Sequence, residues 1–397
     1  MTDVVVAAYA RTPFGRFGGA LRAARAPDLG AAVIDVVLDR AAFPSADVDG
    51  VYAGVGMIGA GTLTPARQAV MLSGLPETTP SLAVDRACCS GMSAVGLGWK
   101  DIRLGEAQAL LCGGFEALSA TPRFLPRLQA ARPGAIEMDD PLLLRAPVVD
   151  RQIAVYTGEE SLRHGVTREM QDGWALQSHQ RYFAAQARGF FDSELAPVDG
   201  VDTKNRPIRL TEDESPRPDS DPEALARLKP IYGSLTVTAG NAPGLSDGAA
   251  MLLVMSGEAA RRRELVPRAT ILGYAQVAAG PTSGTTTPAL AIRKLLVSHG
   301  LTPDAVDLYE INEAYAATPL VSTLVLADGA SAAADRLRRR TNVHGGAVAI
   351  GHPLGASGAR LVMTLVAALS ERGGGIGVAA ICGGFGQGDA LLVRVDR

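Results

Sequence analysis

The sequence lacks a zinc-binding cysteine pattern, a secretion signal, a membrane-length apolar run and any surplus of basic charge. Its 397 residues hold four cysteines, Cys88, Cys89, Cys112 and Cys382. No two of them have C-x-x-C spacing, so no metal site is expected. Without a secretion signal, a disulfide framework is not expected either. Buried inert thiols or a reactive one remain. The N-terminus, Met1-Thr2-Asp3-Val4-Val5-Val6-Ala7-Ala8, lacks the basic-then-apolar build of a signal peptide, so a cytoplasmic location is expected. No uninterrupted apolar run reaches the roughly 18 residues of a membrane span. Net charge is −3 and no basic run alternates with aromatics, which argues against nucleic acid as a partner.

The chain is nevertheless 47% hydrophobic, enough to bury large cores, and its 45 glycines suit many tight strand-to-helix turns. Val4 to Ala8 reads as a strand. Asp28 to Ala42 has helical apolar spacing, with Asp28 as its cap. Asp49 to Gly54, Ser81 to Asp85 and Gln108 to Cys112 read as strands, the last stopped by Gly113-Gly114. Thr167 to Arg188 reads as a helix, 213–219 as an exposed turn, and Asp247-Gly248-Ala249-Ala250 as a helix start before a strand, Met251 to Met255. Gly54-Val55-Gly56-Met57-Ile58-Gly59 matches G-x-G-x-x-G. A dinucleotide fingerprint belongs in the first βα unit, with an acidic residue at a strand end about 20 residues on. Here an earlier strand and helix precede it, and Glu77 falls in a turn, so a nicotinamide site is not supported.

Two stretches carry chemistry. In Gly351-His352-Pro353-Leu354-Gly355, Pro353 fixes φ and the apolar run Leu361 to Leu369 reads as a helix, so His352 is expected in a loop before a helix N-terminus. A lone loop histidine is ordinarily a polar surface residue. The second stretch is Arg86-Ala87-Cys88-Cys89-Ser90-Gly91-Met92, where a strand runs into a helix. A cysteine on a first helical turn faces free amides and the positive helix end, which favour the thiolate.

The second half of the chain repeats the first. Ala46-Asp47-Val48-Asp49 corresponds to Asp304-Ala305-Val306-Asp307, Ser90-Gly91 to Ser357-Gly358, and Leu111-Cys112-Gly113-Gly114-Phe115 to Ile381-Cys382-Gly383-Gly384-Phe385. Order and spacing agree at all three points. Two copies of one α/β unit are expected, with mixed sheets covered by helices on both faces. Cys88 and His352 then occupy equivalent turns and meet near a pseudo-twofold axis. The expected division is 1–120 with 161–265 as the first half and 266–397 as the second. Residues 121–160, rich in Pro, Arg and Leu, begin an inserted loop region that can run on to about 245.

These segments resemble the thiolase family. Cys88-Cys89-Ser90-Gly91-Met92 is similar to its nucleophile segment, Asn312-Glu313-Ala314-Tyr315 to its N-E-A-F motif, and Gly351-His352-Pro353 and Cys382-Gly383-Gly384 to its G-H-P and C-x-G motifs. Pro65-Ala66-Arg67-Gln68 and Thr238-Ala239-Gly240-Asn241-Ala242 also match. The resemblance spans Val4 to Val395. It implies a five-layer αβαβα fold with an inserted loop domain, and condensation or thiolysis at the carbon next to a coenzyme A thioester. Acetyl-CoA, 3-ketoacyl-CoA and CoA are then substrates, with no separate cofactor. The chain is then a homodimer or homotetramer.

The resemblance also implies roles. Cys88 is the nucleophile, His352 accepts its proton, and Cys382 is the acid/base at the α-carbon. One oxyanion hole comes from His352 and a water held by Asn312, the other from the N–H groups of Cys88 and Gly384. Glu313 is a supporting charge or a surface carboxylate. Arg217, Ala242, Ala314 and Tyr315 contact coenzyme A or the acyl chain. Four positions depart from the family pattern: Asp85 stands for Asn, Tyr315 for Phe, Pro243 for Ser, and Ile153-Ala154-Val155 for His-Met-Gly. The last leaves acyl-chain length open. The large apolar residues Phe124, Leu125, Leu128, Ile136, Met138, Leu142, Leu143 and Leu144 either line an acyl pocket or pack a neighbouring subunit. A ketoacyl synthase would need His or Asn at position 382, and a non-catalytic lipid-transfer protein would lack Cys88 or His352.

Overall fold

The computed structural model describes residues 2–57, 63–125, 138–146 and 148–396. The first half runs β1 (Val4–Arg11), β2 (Gly15–Arg16), α1 (Ala26–Ala41), β3 (Gly50–Gly54), α2 (Pro65–Leu72), β4 (Ser81–Val84), α3 (Ser90–Leu104) and β5 (Ala109–Ala117). A long excursion follows: β6 (Arg145–Ala146), β7 (Arg151–Gln152), α4 (Ile153–Arg163), α5 (Arg168–Gln186), β8 (Val198–Val201), β9 (Pro207–Leu210) and α6 (Pro222–Ala226). The chain returns through β10 (Ser246–Ser256) and α7 (Gly257–Arg262). The second half is β11 (Ala269–Ala278), α8 (Thr287–Ser298), β12 (Leu308–Ile311), α9 (Ala317–Leu326), α10 (Ser331–Arg339), α11 (Ala347–Ile350), α12 (Leu354–Glu371), β13 (Gly375–Gly383) and β14 (Gln387–Val395).

Each half builds a mixed sheet, and the two halves are hydrogen-bonded edge to edge. The order is β12-β13-β14-β11-β1-β10-β5-β3-β4, with β2 on β10. The junction is the short antiparallel pairing of Val4, Val5 and Val6 with Ile271, Thr270 and Ala269. Two mixed sheets were expected from the repeat; their fusion through β1 and β11 was not. β1 and β10 are buried at every position, which is why residues 4–10 and 249–255 are apolar throughout rather than alternating.

Helices fill three layers around the sheet. α1 buries Leu29, Val33, Ile34, Val37 and Leu38 on the outer face of the first half, the 3.6-residue spacing that makes it helical. α8 lies on the outer face of the second half. α3 and α12 lie between, and each contacts strands of both halves. The result is the five-layer αβαβα arrangement. By length and composition α12 could cross a membrane, but it is buried at Leu354 through Leu369 in this middle layer.

Three local expectations fail for reasons of packing. The Asp247–Ala250 segment belongs to strand β10, paired on both sides by β5 and β1. A buried apolar run has no period to tell strand from helix, and small residues ahead of it imitate a helix start. Gly113 and Gly114 do not end β5 but sit inside it. A Cβ on either would come within 2.1 Å of a carbonyl oxygen, that of Ala250 or of Gly355. These glycines permit close approach rather than a stop. Asp28 is the third residue of α1, not its cap: its carboxylate accepts from the Arg25 amide and pairs with the Arg25 guanidinium.

Candidate active site

The site forms where the heads of α3 and α12 cross. A Cβ on Gly91 would lie 2.4 Å from the Gly355 carbonyl oxygen, and one on Gly358 would lie 2.3 Å from the Met92 amide nitrogen. Only glycine permits that approach. Gly54, the first residue of the G-x-G-x-x-G match, serves the same crossing, since its Cβ would fall 2.3 Å from the Gly91 nitrogen. Ile58 and Gly59 lie outside the described residues.

Cys88 sits on a sharp turn between β4 and α3. Ala87 takes φ 50°, and Ser90 Oγ closes the turn by accepting from the Arg86 amide at 2.9 Å and donating to the Ala87 carbonyl at 2.5 Å. Cys89 is the N-cap of α3, so Cys88 precedes the first helical turn instead of lying on it. The expected depression of its pKa does not occur. Burial pushes the thiol up to about 12, its own backbone amide opposing and the charge of Glu116 adding. The half-buried Cys88 is the most open of the four cysteines.

His352 lies between α11 and α12, with Pro353 as the N-cap of α12, as its sequence context implied. Its backbone N–H donates to Ser246 Oγ at 3.1 Å. Its Nδ1 is 2.6 Å from Ser357 Oγ, and that hydroxyl donates to the Pro353 carbonyl at 2.9 Å. A hydroxyl with its proton committed can only accept, which assigns the proton to Nδ1 and leaves Nε2 with a free lone pair. Asn312 Nδ2 lies 3.4 Å from that Nε2. Burial, and then the Arg360 guanidinium, lower His352 to about 3, so the ring is neutral at pH 7. Sequence reasoning missed Ser246, and saw in Ser357 only a helix-opening residue.

Cys382 ends β13 and is almost wholly buried. The strand end abuts the nucleophile turn: a Cβ on Gly383 would lie 2.8 Å from the Arg86 carbonyl oxygen, and one on Gly384 would lie 3.3 Å from Ala87 Cβ. Burial raises the Cys382 thiol, with the charges of Cys88 and Glu160 adding. The Cys88 turn therefore lies against both the head of α12, which follows His352, and the strand end that carries Cys382.

Asn312 follows β12 and is fully buried; its Oδ1 has no hydrogen-bond partner among the described residues. Glu313 is a buried carboxylate, not a surface one. It accepts from Trp174 Nε1 and Ser178 Oγ at 2.8 Å each, from Val348 N at 2.9 Å and from Asn342 Nδ2 at 3.0 Å. Those four donors, from α5, α11 and the 342 loop, hold the turn that presents Asn312.

Two neighbouring cavities open from this corner. One of about 140 Å³ is lined by His352, Ala242, Ala314 and Tyr315 together with Leu142, Leu143, Leu144, Ile153 and Tyr232. The other, about 390 Å³, is lined by Arg217, Arg16 and His179. Ala242, Gly244 and Leu245 belong to both walls, so the cavities adjoin. Arg217 thus lines the cavity that adjoins the one containing His352 rather than that cavity itself. Its turn is anchored from within, because Asp213 is buried against Arg11 at 2.7 Å rather than exposed. Of the apolar residues of the insert, Leu142, Leu143 and Leu144 line the smaller cavity, while Leu125 and Met138 are exposed. Leu128 and Ile136 lie outside the described residues. A cavity of about 430 Å³ beside Arg67 and residues 77–83 contains none of the predicted site residues.

Comparison with known proteins agrees with this arrangement. The thiolase N-terminal domain matches residues 4–258 and the thiolase C-terminal domain residues 265–395. The chain is 38% identical to a beta-ketoadipyl-CoA thiolase of Pseudomonas aeruginosa, over 99% of both chains. It is 39% identical to an acetyl-CoA acetyltransferase of Cupriavidus necator, over 99% of this chain and 100% of that one. Among solved structures, the Bacillus anthracis acetyl-CoA acetyltransferase superposes with a TM-score of 0.93 at 34% identity, covering 100% of this chain and 99% of that one. Human mitochondrial 3-ketoacyl-CoA thiolase gives the same score and identity over 99% of both. With both domain models matched in order, and with the two thiols, the histidine and the asparagine gathered at one corner, the chain belongs to the thiolase family of acyltransferases.

Proposed function

We propose that this thiolase makes and breaks the carbon–carbon bond of 3-ketoacyl-CoA thioesters through an acyl group carried on Cys88. In thiolysis the Cys88 proton passes to Nε2 of His352 and the sulfur attacks the 3-keto carbon. The bond between C2 and C3 breaks, and Cys382 protonates C2 as acetyl-CoA leaves. The thiol of CoA then gives its proton to Cys382 and takes the acyl group from Cys88, whose sulfur recovers its proton from His352. Condensation runs the same steps backwards. The observation that carries this reading is the junction of the Cys88 turn, the neutral His352 and the Cys382 strand end. Thiol and imidazole both rest uncharged there, so charge develops only once a substrate oxygen is present to receive it.

His352 Nε2 and Asn312 supply one set of oxyanion contacts, and the N–H groups of Cys88 and Gly384 the other. The Asn312 Oδ1 atom, buried without a partner among the described residues, fits the role of holding a water or a substrate group, since a buried acceptor left unsatisfied costs about 1–3 kcal/mol. Ala242, Ala314 and Tyr315 flank the pantetheine and acyl chain, and Arg217 meets the nucleotide end. We infer further that the chain self-associates as a dimer or tetramer. The edge strand β4, with Leu82 44% exposed, supports that reading.

The test is mass spectrometry after incubation with acetyl-CoA. An acetyl adduct is expected on the peptide bearing Cys88. Cys382→Ala should keep the adduct and lose turnover. An adduct on a different thiol, or none in that variant, overturns the division of labour.

A further inference from the structure

Glu116 is a buried carboxylate that none of these steps uses. It lies in β5 with 3% exposure and has no cationic partner among the described residues. Its Oε2 accepts from the Gly56 amide at 2.8 Å and from the Gly355 amide at 3.0 Å. Gly355 is the second residue of α12, three positions after His352. Gly56 is wedged at the same point: a Cβ there would lie 2.9 Å from Glu116 Oε2, 2.7 Å from Leu354 Cβ and 3.4 Å from the Ala87 carbonyl oxygen. One carboxylate oxygen therefore joins the loop after β3 to the head of α12, against the turn that carries Cys88. The chain departs here from the usual placement of a buried charge beside a countercharge.

We propose that Glu116 is a positioning residue for the reaction, which fixes the Cys88 turn against the head of α12 and whose negative charge holds the Cys88 thiol protonated until substrate arrives. The inference rests on the assignment of Cys88 as the acyl carrier. A thiolate beside an unpaired buried carboxylate is opposed by like charge in a medium of low dielectric. A thiol kept in its protonated form is shielded from adventitious alkylation and oxidation, while its sulfur remains strongly nucleophilic once His352 removes the proton. The ionisable groups on the elements around this corner are Asp85, Arg86, Cys88 and Cys89 on the nucleophile turn, His352 before α12 and Arg360 within it; Arg86 is paired with Asp389 and Arg360 with Glu310. Of the strands that flank β5, β10 places Gly248 opposite Glu116, while β3 ends at Gly54, opposite Gly114. Burial raises Glu116 itself to about 7, the backbone amides opposing and Asp85 adding. Its charge is therefore present above that pH and absent well below it.

Glu116→Gln tests the charge alone, because the amide oxygen can accept both backbone N–H bonds that Oε2 now accepts. The readout is the rate of iodoacetamide labelling at Cys88, followed by peptide mapping, from pH 6 to pH 9. At pH 8 the variant should label about tenfold faster than wild type, one pKa unit of relief. At pH 6, where wild-type Glu116 is protonated, the two rates should coincide. Equal rates at pH 8 overturn the proposal, and so does a difference that persists unchanged at pH 6, which reports a distorted turn. The acetyl adduct on wild-type Cys88 is scored separately, so failure of this inference is distinguishable from failure of the acyl-carrier assignment.

Discussion

His352 Nδ1 lies 2.6 Å from Ser357 Oγ, and this contact determines which imidazole nitrogen carries the proton. Ser357 is one helical turn into α12 and donates back to the Pro353 carbonyl, so its oxygen is fixed as an acceptor. The free lone pair on Nε2 follows from that. Ser357→Ala leaves the buried Nδ1 proton without its acceptor, a loss of about 1–3 kcal/mol in orientation and tautomer preference. Turnover should fall roughly 10- to 100-fold with little change in KM. Steady-state thiolysis checks this, and a loss smaller than threefold would remove Ser357 from the mechanism.

Cys88 should label before Cys89, Cys112 and Cys382, because it alone is half-open while the others are buried. Its reaction should be slow near neutrality. With the thiol pushed up to about 12, the thiolate fraction keeps growing from pH 7 to pH 9 without a plateau, by less than tenfold per unit near pH 7, where Glu116 is gaining its charge. Peptide mapping of limited alkylation measures both the order and the slope. A plateau below pH 8 would mean a stabilised thiolate.

The buried neutral His352 makes the protein sensitive to acid. Its folded value of about 3 is below the unfolded value near 6.5. Below pH 6.5 the unfolded chain takes up a proton that the folded chain refuses, so stability falls as pH drops from 6.5 toward 3. The slope is about 1.4 kcal/mol per pH unit, or about 2 kcal/mol by pH 5. His352→Asn removes that contribution. Urea unfolding at pH 7 and pH 5 should show wild type losing about 2 kcal/mol more than the variant. Equal losses would show that His352 does not titrate on unfolding.

Arg217 is exposed at the wall of the larger cavity, and its backbone N–H donates to His179 Nδ1 at 3.2 Å. Its guanidinium makes no ion pair among the described residues, which leaves it free for a phosphate. Arg217→Ala should raise KM for CoA thioesters roughly five- to tenfold and leave turnover nearly intact, as expected when uniform binding is lost. Unchanged constants would remove Arg217 from the CoA path.

The smaller cavity has an apolar wall of Leu142, Leu144, Ile153 and Leu245 beyond His352. Each methylene buried there should add about 0.8 kcal/mol, nearly fourfold in kcat/KM. Thiolysis should therefore improve from 3-ketobutyryl-CoA to 3-ketohexanoyl- and 3-ketooctanoyl-CoA. A strict preference for the four-carbon substrate would instead assign the insert leucines to packing against another subunit.

Much of this molecule was legible before any coordinates. The internal repeat implied two α/β units with sheets covered on both faces. The resemblance to thiolase motifs around Cys88, His352, Asn312 and Cys382 marked the candidate site, and the heads of α3 and α12 bring these segments to one corner. Asp247 to Ala250 misled, since a strand buried on both faces carries no period. Gly113 and Gly114 misled because a glycine that admits a neighbouring backbone is identical in sequence to one that ends a strand.

What the sequence determined by itself was the set of chemical groups and their local backbone: a cysteine on a strand-to-helix turn, a histidine before a proline-started helix, and a cysteine at a strand end. What only the tertiary structure decided was their state. Burial, not the helix end, controls Cys88, because removal from water outweighs the field of a helix whose first turn begins beyond that residue. The tautomer of His352 depends on Ser357, and the hold on Asn312 depends on four donors to Glu313 drawn from distant segments. Glu116, 239 residues from its Gly355 partner, has no mark in the sequence. Protonation and orientation depend on what surrounds a group in space, and a linear chain does not carry that information locally.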